Sequence, residues 1–126
     1  MSAAAAVKKR ILIIDDDREF LEELQETLRL NDYEVTAVED ATEAMAIALR
    51  VAPDLILLDL KMPLESGFQV ACKLKYFSHL KSVPIIAMTG YFRESYLPLL
   101  ETYRISAYIR KPFGTVEIVS KIENAF

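Results

Sequence analysis

Ile11-Leu12-Ile13-Ile14-Asp15-Asp16-Asp17 is the stretch that decides the fold. Four apolar residues rich in β-branching, stopped by three acids, read as a strand buried on both faces that delivers charge at its carboxyl end. The pattern returns twice. Leu55-Ile56-Leu57-Leu58 ends in Asp59, and Val83-Pro84-Ile85-Ile86-Ala87-Met88 ends at Thr89-Gly90.

Between these runs the period changes to that of a helix. Phe20, Leu21, Leu24 and Leu28 recur at helical spacing, with Glu22, Glu23, Glu26 and Arg29 between them. Asp17 reads as the cap of this helix and Asn31-Asp32 as its close. Tyr33 to Val38 predicts a short strand, and Asp40 caps a helix from Ala41 to Arg50 that stops before Pro53. Gly67 to Phe77 is helical by pattern. A weaker helix, interrupted by Pro98 and therefore short or late in starting, precedes a strand Ala107-Tyr108-Ile109-Arg110. That strand ends at Lys111-Pro112, and Thr115 is expected to cap a last helix reaching Phe126. Strict alternation of apolar strands and helices means an α/β fold: one parallel sheet covered by helices on both faces. For five such units the doubly wound order 2-1-3-4-5 is expected; that order is taken from known folds rather than derived.

The 126 residues suit one domain, 9–126, behind a flexible leader at 1–8. A net charge of -4 disfavours direct nucleic-acid binding, which needs clustered Lys and Arg. No apolar run approaches the roughly 18 residues of a membrane span. Cys72 is the single cysteine, so no internal disulfide forms, in keeping with a cytoplasmic protein. Cys72 and His79 are read as structural.

In an open parallel sheet, ligands bind beyond the carboxyl ends of the strands. The strands deliver Asp15 and Asp16, Asp59, Thr89 and Lys111 to that edge. Any one of them is an ordinary loop residue; all five at one edge make a site. Clustered carboxylates repel one another, and a divalent cation with a taste for hard oxygen, Mg²⁺ or Mn²⁺, resolves the repulsion.

The motifs Ile11 to Asp17, Leu58-Asp59-Leu60-Lys61-Met62-Pro63 with Gly67, Ala87-Met88-Thr89-Gly90 and Lys111-Pro112-Phe113 closely resemble those of response-regulator receiver domains. The resemblance covers residues 9–126 and implies a flavodoxin-like fold, of which a chemotaxis receiver is a standard example. It implies that Asp59 accepts a phosphoryl group from a histidine kinase or a histidine phosphotransfer protein. Asp15, Asp16, Asp59 and the Lys61 backbone carbonyl would hold the metal, and Lys111 would offset phosphoryl charge. Thr89 would turn toward the phosphoryl oxygen and Tyr108 would move inward, reshaping an output face. Gly90 would leave room beside the phosphate, and the Lys111-Pro112 bond would be cis. Lys61 and Tyr91 occupy positions that influence phosphate lifetime, with a bulky Tyr91 expected to slow the loss. The protein would thus be a signalling module that phosphorylates and dephosphorylates itself, not an enzyme acting on others. Its partners would be the donor and a downstream protein or effector domain, with homodimerisation allowed and no membrane contact. It would be either a complete single-domain regulator or a receiver within a longer regulator or hybrid kinase.

Two departures are visible. Tyr103-Arg104-Ile105-Ser106-Ala107 lacks the glycine often found before the last strand, and Pro98 stands in the fourth helix. A haloacid dehalogenase-like phosphatase would need an acid where Lys61 stands, and a flavin-binding module would not place three acids after its first strand. A receiver that docks without phosphate is the remaining alternative.

Overall fold

A computed structural model describes residues 7–62 and 65–126. Most of the expected leader and Pro63 of the motif lie outside the described residues. The elements are β1 (Arg10–Ile14), α1 (Arg18–Leu30), β2 (Glu34–Val38), α2 (Ala44–Val51), β3 (Leu55–Asp59), α3 (Gly67–Tyr76), β4 (Ile85–Thr89), α4 (Tyr96–Thr102), β5 (Ala107–Arg110) and α5 (Thr115–Ala125). The five strands are all parallel, in the order β2-β1-β3-β4-β5.

Strand alternation divides the core into two layers. Leu12, Ile14, Ile56, Leu58, Ile85 and Ala87 face α2, α3 and α4 through Ala44, Ala48, Val70, Leu74 and Leu100. Ile11, Ile13, Leu55, Leu57, Ile86 and Met88 face α1 and α5 through Leu21, Leu24, Leu28, Ile118 and Ile122. Every residue of β3 and β4 is buried, which is why those segments read as continuous apolar runs rather than as alternation.

Several boundaries differ from the sequence reading, each for a local reason. Tyr33 stays out of β2 because its N–H donates to the Leu28 carbonyl, closing α1. Asp40 does cap, but Ala41–Glu43 forms a 3-10 turn before α2 begins at Ala44. Phe77 is extended and ends α3 one residue early. Thr115 is not the cap of α5; Gly114 takes that place in extended backbone, and Thr115 is the first helical residue. The fourth helix is short, as expected from Pro98, but Pro98 lies inside it rather than interrupting it, as the third residue of α4, where an N–H has no intrahelical partner to lose. Cys72 and His79 are exposed and are not core residues.

Candidate functional site

The site begins with strand ends. Asp15 follows β1, and its backbone N–H donates to the Val38 carbonyl at 3.1 Å, so its position is locked to β2. Its Oδ1 accepts the Asp17 N–H at 3.0 Å, and Asp17 in turn caps α1 by accepting the Phe20 N–H at 3.2 Å. Asp59 is the last residue of β3. Asp15 is fully buried, Asp59 is 5% exposed and Asp16 is open to solvent. One carboxylate oxygen from each of Asp15, Asp16 and Asp59 lies within 4.8 Å of the other two.

Lys111 reaches in from beyond β5. Its Nζ lies 2.6 Å from Asp15 Oδ2 and 3.6 Å from Asp59 Oδ1, so its closer partner is Asp15. The Lys111-Pro112 bond is cis. One ammonium does not balance three acids. Burial pushes the Asp59 carboxyl up to about 6, and the neighbouring Asp15 charge adds to the rise. Lys111 and the Lys61 backbone N–H oppose it without cancelling it. The three carboxylates, with their charge under-compensated, suit a hard divalent cation.

Gly67 sets the near wall. A Cβ there would stand 2.2 Å from the Asp59 backbone oxygen and 2.7 Å from Leu60 Cα, so only glycine lets α3 press against the end of β3. The Gly67 N–H donates to the Leu60 carbonyl at 3.1 Å. A reciprocal pair of bonds between Ser66 and Gln69 fixes the start of α3. Lys61 itself is exposed. At Gly90 a Cβ would meet nothing within 4 Å, so the room expected there is open space.

Thr89, at the end of β4, is buried, and its hydroxyl oxygen accepts the Tyr91 N–H at 3.1 Å. The Tyr91 ring is 66% exposed, with the Arg93 guanidinium 5.1 Å from its centroid. Tyr108 is half-buried and lies flat on Phe92, ring centroids 4.3 Å apart and planes 10° from parallel. Arg110 covers the ring of Phe92 at 5.0 Å. Two aromatic neighbours of the site were thus not singled out from sequence. Phe92 carries no signal in the sequence, and Phe20, whose ring centroid lies 4.1 Å from Lys111 Nζ, reads there only as one of the apolar residues of α1.

The family model for the response regulator receiver domain matches residues 11–123. The chain belongs to that family. Receiver domains are the signalling modules of two-component systems, and accepting phosphate at an acidic, Mg²⁺-binding pocket is general among them. The receiver is 31% identical over 124 residues to the transcriptional regulatory protein PdtaR of Mycobacterium tuberculosis, covering 98% of the chain and 59% of that protein. It is 34% identical over 119 residues to the phosphate regulon transcriptional regulatory protein PhoB of Pseudomonas aeruginosa, covering 93% of the chain and 51% of that protein. The receiver therefore spans between about half and three-fifths of the length of these two relatives. In fold it is similar to the Vibrio cholerae chemotaxis protein CheY4, with TM-score 0.92 at 23% identity over 95% of this chain and all of that one. Among the described residues no helix is long and apolar enough to cross a membrane.

Proposed function

We propose that Asp59 is the phosphoacceptor of this receiver, fed by a phosphohistidine on a histidine kinase or a phosphotransfer protein in the cytoplasm. The carrying observation is the meeting of the Asp15, Asp16 and Asp59 carboxylates beside the Lys111 ammonium at one end of the sheet. In the transfer, an Asp59 oxygen attacks phosphorus as the bond to the donor imidazole nitrogen breaks, and that nitrogen takes a proton. Asp15, Asp16, Asp59 and the Lys61 carbonyl would hold Mg²⁺ or Mn²⁺, which supplies positive charge to the phosphoryl oxygens. Lys111 adds a second positive group, and its 3.6 Å separation from Asp59 leaves it within reach of an oxygen placed on that carboxylate.

Thr89 and Tyr108 form the switch in this reading. The Thr89 hydroxyl would leave the Tyr91 N–H for a phosphoryl oxygen, and Tyr108 would move inward from its place on Phe92, presenting a changed face to a downstream protein. Lys61, two residues after Asp59, and Tyr91, two after Thr89, would tune the lifetime of the phosphoryl state.

Incubation with Mg²⁺ and acetyl phosphate tests the proposal. Intact-mass spectrometry is expected to show one phosphoryl group on the wild type and none on Asp59→Asn, with both incorporation and beryllofluoride binding abolished by EDTA. Incorporation that persists in Asp59→Asn moves the acceptor elsewhere. No incorporation in the wild type favours a receiver that docks without phosphate.

A further inference from the structure

We propose that Phe20 is a positioning residue for phosphoryl transfer, holding the Lys111 ammonium over the acceptor site through the face of its ring. This role presupposes the phosphoacceptor chemistry proposed above. Lys111 Nζ lies 4.1 Å from the centroid of Phe20, within the range of a strong cation–π contact. The same nitrogen is 2.6 Å from Asp15 and 3.6 Å from Asp59. The ammonium is thus held between two carboxylates and one ring.

The ring is held in turn. Phe20 lies in the first turn of α1, and its backbone N–H is bound by the Asp17 carboxylate at 3.2 Å. Phe113, two residues beyond Lys111, meets the Phe20 ring edge to face, with centroids 5.8 Å apart and planes at 86°. A cap on one side and an aromatic contact on the other therefore fix the ring.

The chemistry calls for a restraint of this kind. A lysine is a flexible four-carbon stem carrying a strongly hydrated point charge. Lys111 is 20% exposed, so its charge has a path to water. It must also exchange partners during the reaction, leaving Asp15 for a phosphoryl oxygen on Asp59. A carboxylate that gripped it more tightly would hinder that move. The ring attracts the ammonium without occupying any of its N–H donors and with little directional demand, so it keeps the charge in the site while the partner changes.

The experiment uses the whole chain and compares wild type, Phe20→Leu, which keeps apolar bulk without a ring, and Phe20→Tyr, which keeps the ring. In NMR spectra the wild-type Lys111 ε-methylene protons are expected upfield of the ordinary lysine position, shifted by the ring current of Phe20. Phe20→Leu should abolish the shift and Phe20→Tyr should retain it. With acetyl phosphate, Phe20→Leu should be phosphorylated about three- to tenfold more slowly at unchanged Mg²⁺ affinity, the size of effect a cation–π contact supports. Phe20→Tyr should react at nearly the wild-type rate. A small-molecule donor has no docking surface, so slower reaction is not lost recognition of a kinase. A wild-type protein without the upfield shift overturns the proposal. So does Phe20→Leu at the wild-type rate, or Phe20→Tyr as slow as Phe20→Leu. An upfield shift in a protein that takes no phosphate at all refutes the phosphoacceptor chemistry, and this role with it, while leaving the contact itself established.

Discussion

Asp59 sits in an environment that resists its own charge. With the folded carboxyl raised from 3.8 to about 6, the folded chain binds this proton more tightly than the unfolded chain does. The group's contribution to stability is therefore fully present below pH 3.8 and is lost as pH rises through about 6. Removing the charge should relieve that loss. Asp59→Asn is expected to be more stable than wild type at pH 7.5 in EDTA by on the order of 1–2 kcal/mol, allowing for solvent at the mouth of the site, with the gap closing toward pH 4. Urea midpoints at the two pH values measure it, and an equal gap at both would refute the electrostatic cause. Tyr91 belongs to the same scale. Its ring is exposed and engaged by Arg93, and its backbone N–H is bound by the Thr89 hydroxyl. Tyr91→Ala should shorten the phosphoryl half-life several-fold in a decay assay, and unchanged decay would remove Tyr91 from that role.

At the scale of elements, the packing of α3 against the end of β3 is the tightest constraint in the site. Gly67→Ala places a methyl against backbone, which cannot swing aside as a side chain can. We expect a loss of about 1–3 kcal/mol in urea denaturation, the usual cost of overpacking, together with weaker Mg²⁺ binding as the loop carrying Lys61 is displaced. Gly67 was visible in the sequence as part of a motif; the reason for it was not, because the atoms it avoids belong to another element. The same holds for element ends. Asp17 and Asp40 cap as read, since a cap acts within three residues. Tyr33 and Thr115 departed from expectation because the bonds and backbone turns that decided them were set by neighbours. Arg104 takes a left-handed backbone with φ 57° in the turn that lacks glycine, so a non-glycine residue carries that conformation here.

Across the whole molecule, apolar runs ending in polar residues made both the sheet and its functional edge readable. Asp15, Asp59, Thr89 and Lys111 could be assigned to one edge because parallel strands all point the same way. Their lateral neighbours were not readable: that β1 lies between β2 and β3 came from known folds and is seen here in the pairing. Nor could aromatic contacts between distant segments be read, such as Phe20 with Lys111 or Phe92 with Tyr108.

The stack of Arg110, Phe92 and Tyr108 has a consequence for signalling strength. If Tyr108 must leave Phe92 to signal, the stack sets a threshold that the phosphorylated site has to overcome. A stacked aromatic pair is worth about 0.5–1.5 kcal/mol, which lowers the resting population of the signalling form roughly two- to twelvefold. Phe92→Leu should raise that basal population, seen as Tyr108 resonances of the unphosphorylated protein moving toward their beryllofluoride-bound positions. Phosphate would then add less to a signal already partly on. On that reading, the ring that quiets the resting protein would also give its phosphorylation contrast.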